Sequence, residues 1–471
     1  MGMMLGYILC LKEKRVIMRI FLKCCHILFL GVVITGFYVS SSHAISLIRD
    51  SEIEHLLDDM IGLLVESTHV ADVGINGYLI NSSDFNAFVV NNSSIFVHSG
   101  AILMMDQPEE LVAILAHELG HITDKHIAKR YRKMEELHDK QLFTTLAGIV
   151  IGAAGGYDKG VAAVIAGSEA LSRELLSYSR TDEFAADLRG VQYMKQANID
   201  PAYVLDVAEI LIDKQEINLS GVSQYLLTHP FMKVRADRLH SVIADNSASG
   251  KNLTDDMHYR YKRVYRKIQA FQTDNPDKII QEGLEYLQTS DASSREIMSE
   301  SDEIVRYGMS IAFSKLNQLD SAIEQLDILI GHNNDPYYHE LKGQFLRDNQ
   351  KFDQALSSYK YALDLLPGDF LVLSAIGDTL IMANKYDEAI KYLHLADQID
   401  PRNVWVKGML AKAYAEKGDI GISSLMTSER FLLLNKVKFA KLHARRAIKD
   451  LPDGSIWRLR AQDVLAVLHD D

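Results

Sequence analysis

The chain has 471 residues, more than one ordinary domain, so two folded units are the expectation. Hydrophobic residues make up 48% and charged residues 24%, which excludes wholesale disorder. A formal charge of -13 opposes polyphosphate and argues against nucleic acid as a partner.

Near the start, Arg19 and Lys23 precede an apolar run from Ile27 to Ile34, and Ser40, Ser41, Ser42, His43 and Ala44 follow. That order reads as a secretory signal peptide over 1–44, cleaved after Ala44. An uncleaved anchor is the alternative, although the stretch to Val39 is just short for a spanning helix. Met18 would make a cleaner start than Met1. The segment carries five basic residues and one acid, so the mature chain would go from -13 to -17. Cys10, Cys24 and Cys25 all fall inside it. Any downstream metal site must therefore use His, Asp and Glu.

From Ile45 onward the pattern is mixed. Asp50 to Val65 reads as an amphipathic helix with Ile53, Leu56, Leu57, Met60, Ile61 and Leu64 on one face. Two β-like runs follow, Asn76–Ile80 and Ala87–Val97, with turns at 81–84 and 91–94. After Ser99-Gly100 the chain turns helical. Leu142 to Gly156, apolar and rich in small residues, is too short to span a bilayer and reads as a packed helical hairpin. Asn246 to Gly250 is the best linker, so a domain over 45–250 and a second over 251–471 are expected.

The second region is helical and repeats. Gly343, Phe352, Ala355, Ala362 and Pro367 recur 34 residues later as Gly377, Tyr386, Ala389, Ala396 and Pro401. That period resembles the tetratricopeptide repeat, whose small residues let paired helices approach and whose stacked pairs leave a concave face. The clearest units span 336–401. Ala411, Tyr414, Ala440, Ala447 and Pro452 mark a further unit over 404–452, its two helices split by an insertion, because Pro401 to Pro452 is 51 residues. An earlier unit with Phe313, Ala322 and Leu326 is more degenerate. A purely structural array is the alternative to a docking surface.

His117-Glu118-Leu119-Gly120-His121 lies in Glu109–Arg130, where Leu111, Ile114, Leu115 and Leu119 have helical spacing. Residues four apart share a helix face, so His117 and His121 can hold one zinc ion at ~2.0–2.1 Å. Glu118 borders that face and suits the general base that acts on a water. The motif alone also arises by chance. Downstream, Ser179 to Asp187 sets Glu183 and Asp187 four apart. Glu183 would complete a site of two histidines and one glutamate, and Asp187 would accept a ligating histidine's free N–H. By itself such an acid is usually solvated; Ala185 and Ala186 point to crowded surroundings.

With these residues in view, the chain resembles the HtpX-like gluzincin peptidases. The resemblance rests on the metal motif, the Ser179–Asp187 pattern, Asn86-Ala87-Phe88 with Ile95-Phe96-Val97, and Thr228-His229-Pro230 before Arg235. Signal peptide, peptidase and repeats in that order look like the BepA-type periplasmic members. The resemblance implies a mainly α fold: a zincin-type α+β metallopeptidase domain with a small β-sheet, then an α-helical tetratricopeptide array. It further implies one Zn2+ per chain, Glu183 as third ligand, and a role in outer-membrane protein quality control. The family commonly has Pro-Gly-Gly where this chain reads Val90-Asn91-Asn92-Ser93-Ser94, which leaves that turn open. His229 is similar to a family histidine near the active site: a fourth ligand holding the enzyme latent, an oxyanion donor, or a packing residue before Pro230. Arg235 would pair with Asp187 or stand in solvent. His126, five residues past His121, points elsewhere on the helix and reads as structural.

The expected activity is endoproteolysis of misfolded or stalled envelope proteins in the periplasm, with Glu118 as the base. An extended substrate would add beside the Ala87–Val97 strand, through Ala87, Phe88, Ile95, Phe96 and Val97. The repeats would dock the outer-membrane assembly machinery, with at most peripheral membrane contact. A chaperone-like scaffold with latent proteolysis is the alternative.

Overall fold

A computed structural model describes residues 46–68, 74–129, 179–216, 225, 229–230, 232–244, 250–289 and 298–468. The signal-peptide reading and the hairpin expected at Leu142–Gly156 lie outside the described residues. β1 (Ser46–Ile48) leads into α1 (Ser51–Thr68), which buries the six apolar residues picked out by helical spacing. It starts after Asp50 because the Asp50 carboxylate accepts the Ile53 N–H at 3.1 Å, capping the first turn.

β2 (Asn76–Asn81), β3 (Ala87–Asn91) and β4 (Ser94–His98) complete a sheet of order β1-β2-β4-β3. β3 and β4 are antiparallel, and β2 and β4 are parallel. The turn expected at 91–94 thus divides the Ala87–Val97 run into two strands. Asn91 Oδ1 accepts the Ser93 N–H at 2.8 Å and turns the chain between them. This corrects the expected substrate strand. Ile95, Phe96 and Val97 sit on β4, whose hydrogen-bonding edges are taken by β2 and β3. Only Ala87 and Phe88, on the outermost strand β3, keep a position beside which a peptide could add.

α2 (Ser99–Met104) is short, and α3 (Pro108–Thr123) carries the His-Glu-Leu-Gly-His motif. Proline at its first position and a reciprocal capping box between Gln107 and Glu110 start α3 where they do. α4 (Arg180–Gln196) begins at Ser179, whose hydroxyl accepts the Asp182 N–H. α5 (Tyr203–Glu216) and α6 (Met232–Ala244) complete the described peptidase helices.

Of the boundary expected at Asn246–Gly250 only Gly250 is among the described residues, and contacts link the chain on its two sides. Lys251 donates its N–H to Asn198 O at 2.8 Å. A Cβ on Gly250 would fall 2.3 Å from the Asp200 nitrogen, so the chain passes too close for any side chain there. α7 (Asp255–Gln272) then gives Met257, Tyr261, Val264 and Ile268 to the core shared with α1, α3 and the sheet. Glu109, in the first turn of α3, accepts the Leu253 N–H at 2.7 Å and faces His258 Nε2 at 2.9 Å. Residues Ile45–Asp471 form one compact unit.

Buried charges join the two regions. Glu52, in the first turn of α1, meets Arg263 Nε, Lys267 Nζ at 3.1 Å and the Tyr307 hydroxyl at 2.7 Å. Arg263 also reaches Asp335 at 2.7 Å, at the start of an array helix. The array itself is α8 (Pro276–Thr289), α9 (Glu300–Lys315), α10 (Leu319–His332), α11 (Pro336–Asp348), α12 (Phe352–Leu365), α13 (Phe370–Met382), α14 (Tyr386–Ile399), α15 (Val404–Lys417), α16 (Ile420–Leu433), α17 (Val437–Asp450) and α18 (Ile456–Val467).

The repeat glycines have a packing reason. A Cβ on Gly343 would meet the Tyr359 ring at 2.8 Å, and one on Gly377 would meet Leu393 at 2.6 Å, the same contact 34 residues on. The unit expected over 404–452 is corrected. Its supposed insertion is a whole helix, α16, of the same length as its neighbours. Left-handed residues fall at Gly368 and Gly454 and, in the turns between paired helices, at Asn317, Gln350, Asn384, Gly418 and Asn435. The last step is half the others, so one extra half-repeat lengthens the array without interrupting it. Among the described residues, no helix is long and apolar enough to cross a membrane.

Candidate metal centre

α3 and α4 cross where both chains are small. A Cβ on Gly120 would stand 2.9 Å from Ala186 O, and one on Gly190 would stand 3.2 Å from the His117 nitrogen. This approach brings Glu183, on the first turn of α4, against the two histidines of α3. His117 Nε2 and His121 Nε2 are 3.1 Å apart. Glu183 Oε1 lies 3.4 Å from His121 Nε2, and Glu183 Oε2 lies 3.6 Å from His117 Nε2.

His229 occupies the remaining corner. Its Nδ1 is 3.3 Å from His117 Nε2 and 3.1 Å from Glu183 Oε1. The Tyr225 ring stacks on its imidazole, with centroids 4.4 Å apart, and Nε2 faces Ala87 O at 3.3 Å. All four residues are buried, and their donor atoms lie within 4.8 Å of one another.

That spacing can be tested against a metal. Tetrahedral bonds of ~2.0–2.1 Å separate neighbouring donors by ~3.3 Å, and the observed separations straddle this value. Glu118 supplies a second test. It is fully buried, and neither of its carboxylate oxygens has a hydrogen-bond partner, although His229 Nε2 lies 3.5 Å from Oε1. Buried carboxylates rarely go unmatched. A cation and a water at this position would satisfy both Glu118 and the crowded nitrogens, so the residues present fit a metal ion.

Around the donors sits a supporting layer. Asp187 Oδ1 accepts from His117 Nδ1 at 3.0 Å, fixing which ring nitrogen faces inward. Arg235 grips Asp187 with two bonds, at 2.8 and 2.6 Å, and sets Nη1 2.5 Å from Glu183 Oε2. The direction expected of His126, away from His121, is corrected, while its reading as a structural residue stands untouched. α3 ends at Thr123, Lys125 adopts a left-handed turn with φ 57°, and the chain folds back. His126 Nδ1 therefore ends 3.0 Å from His121 Nδ1, with Nε2 3.3 Å from Asp182. Counting along an unbroken helix missed it; Tyr225 carried no sequence signal.

The protonation states suit metal ligation. Burial drives His121 well below its usual value, leaving the neutral imidazole that binds metals. Burial opposes ionisation of Glu183, but the charges of His229 and Arg235 and bonds from His121 and His229 hold it well below the carboxylate range. Against the same burial, Arg235 pulls Asp187 down to about 2. Glu118 and His229 are the exceptions: burial raises Glu118, with only partial offset from His229 and His117, and against burial the charges of Glu183 and Glu118 raise His229.

Comparison with known proteins decides the family. Residues 48–243 match the model of peptidase family M48, and 307–370 and 380–421 match tetratricopeptide repeats. Residues 48–243 are a peptidase family M48 domain. The beta-barrel assembly-enhancing protease of Escherichia coli (strain K12) is 22% identical over 426 residues, 88% of this chain and 82% of that protein. A putative beta-barrel assembly-enhancing protease of Vibrio cholerae is 24% identical over 62% of this chain and 58% of its own length. A mitochondrial metalloendopeptidase of Schizosaccharomyces pombe is 26% identical over 44% of this chain and 57% of its own length. Residues 48–243 thus form a metalloendopeptidase domain of M48 type, and a tetratricopeptide array follows it.

Proposed function

We propose that this M48 protein is a zinc endopeptidase of the periplasm, exported by a signal peptide over 1–44. It cleaves misfolded or stalled envelope proteins while its repeats dock the outer-membrane assembly machinery. Four buried donors within 4.8 Å of one another, beside a Glu118 carboxylate that has no hydrogen-bond partner, carry this reading. The names of the curated relatives, beta-barrel assembly-enhancing proteases, support the cellular role.

His117, His121 and Glu183 would hold the ion. Zinc, when bound there, supplies Lewis acidity to the scissile carbonyl and acidifies a water. Glu118 accepts the proton of that attacking water and returns it to the leaving amine, a task that its raised pKa suits. Asp187 and Arg235 keep His117 in register. Ala87 and Phe88 offer the outermost strand to an extended peptide, a mode that reads main chain more than side chains.

His229 favours a second state. Its Nδ1, 3.3 Å from His117 Nε2 and 3.1 Å from Glu183 Oε1, would compete with the water for a bound ion, so the resting enzyme would be latent until His229 withdraws. In that state the chain acts as a scaffold. Glu118→Gln separates the activities: zinc content stays at one per chain, while cleavage of an unfolded casein falls by about 10²–10⁴. Cleavage at the wild-type rate would remove Glu118 from the mechanism. His229→Ala should raise cleavage without loss of zinc; a fall in both would make His229 an essential ligand.

A further inference from the structure

α17 has opposite chemistry on its two sides. Ala440, Ala444 and Ala447 are buried in the array. The other side carries Lys438, Leu442, Arg445 and Lys449 in one helical row, flanked by Lys441 and Arg446. Leu442 is 60% exposed and Phe439 49%. The helix holds five basic residues and a single acid, Asp450, within a chain of formal charge -13.

Several cations elsewhere in the array are paired. Lys385 meets Asp353, Lys407 meets Asp397 and Glu429, and Lys417 meets Asp387. None of the five cations of α17 makes an ion pair among the described residues. A charged helix face is ordinarily only solvated. Here the charge has the sign opposite to the chain's own, and Leu442 and Phe439 are exposed among the cations, Phe439 with its ring centroid 5.3 Å from that of Phe431. A basic helix side that also exposes large apolar side chains has the composition of a membrane-surface helix.

We propose that α17 is a membrane-surface contact. Lys438, Lys441, Arg445, Arg446 and Lys449 meet anionic lipid headgroups, while Leu442 and Phe439 enter the boundary between headgroups and acyl chains. Long basic side chains can keep their charge in the headgroup layer while their stems lie along apolar surface. This contact is independent of the metal centre and of the proteolytic reading.

The test uses residues Ile45–Asp471, which form one compact unit. The protein is floated with vesicles of mixed phosphatidylglycerol and phosphatidylcholine, and with phosphatidylcholine alone. Flotation is expected only with the anionic vesicles and should be released by salt. Arg445→Gln with Arg446→Gln should weaken it about fivefold per residue, and Leu442→Ser should weaken it at low and high salt alike. These side chains are exposed or at the surface, so helix content and melting should not change. Equal flotation with both vesicle types, or undiminished flotation of the double variant, would overturn the proposal. Polyglutamate displacing the vesicles while Leu442→Ser has no effect would assign the face to an acidic protein and overturn it too.

Discussion

Gly120→Ala tests whether the crossing of α3 and α4 builds the metal centre. The new Cβ would lie 2.9 Å from Ala186 O, 3.0 Å from Ala186 Cα and 3.1 Å from Arg189 Cβ. Comfortable carbon contacts are ~3.5–4.0 Å, so the helices must part by roughly half an ångström to one ångström. Two of the three atoms are backbone, so no change of rotamer absorbs the strain. α3 carries His117 and His121 while α4 carries Glu183, and a metal site tolerates only about 0.2 Å in its bonds. Zinc affinity, read by competition with a chromogenic chelator, should fall tenfold or more. Overpacking costs about 1–3 kcal/mol, and alanine's better helix propensity returns about 1 kcal/mol. Stability of the metal-free protein therefore drops less than affinity does. Gly190→Ala, with its closest contact at 3.2 Å, should show the same effects in weaker form. If Gly120→Ala bound zinc like the wild type and were about 1 kcal/mol more stable, the crossing would not be what positions Glu183.

Arg235→Met strands Asp187 and Glu183 in the interior, which should destabilise the metal-free protein by about 3–5 kcal/mol in a denaturant titration. The loss should shrink once zinc is added, because the ion compensates Glu183; an equal loss in both forms would break that link. Burial disfavours ionised Glu52, but Arg263, Lys267 and Tyr307 together bring its carboxyl from 4.5 to about 2. The resulting stabilisation, roughly 3 kcal/mol, is complete above pH 4.5 and lost as pH falls through 2. Glu52→Gln should flatten the denaturation profile over that window, and an unaltered slope would show that the buried junction does not depend on this carboxylate. A Cβ on Gly62, in the middle of α1, has nothing within 4 Å. Gly62→Ala should therefore stabilise by about 0.5–1 kcal/mol in thermal melting, and a lower midpoint would mean that this face is covered.

Much of this protein was legible before any coordinates. The row Ile53, Leu56, Leu57, Met60, Ile61 and Leu64 was readable because burial on one helix face imposes a 3.6-residue period. The 34-residue recurrence of Gly343 and Gly377 was readable because each repeat meets the same neighbour at the same place. Other features depended on where the chain bends. His126 reaches His121 only because Lys125 turns left-handed, and a wheel drawn through a continuous helix cannot show that. Half a repeat looked like an insertion because the pattern was matched in whole units.

The sequence by itself determined the two imidazoles of α3, since residues four apart on a helix must share a face whatever surrounds them. It also determined the periodic array, through local spacing alone. Tertiary structure decided what lies far apart in the chain: that Gly120, Ala186 and Gly190 let Glu183 arrive beside those imidazoles, that His229 closes the fourth corner, and that α7 belongs to both regions through Tyr261, Arg263 and Lys267. Those outcomes depend on close packing and on the matching of buried charges. Both are properties of surfaces brought together by folding, and no run of neighbouring residues encodes them.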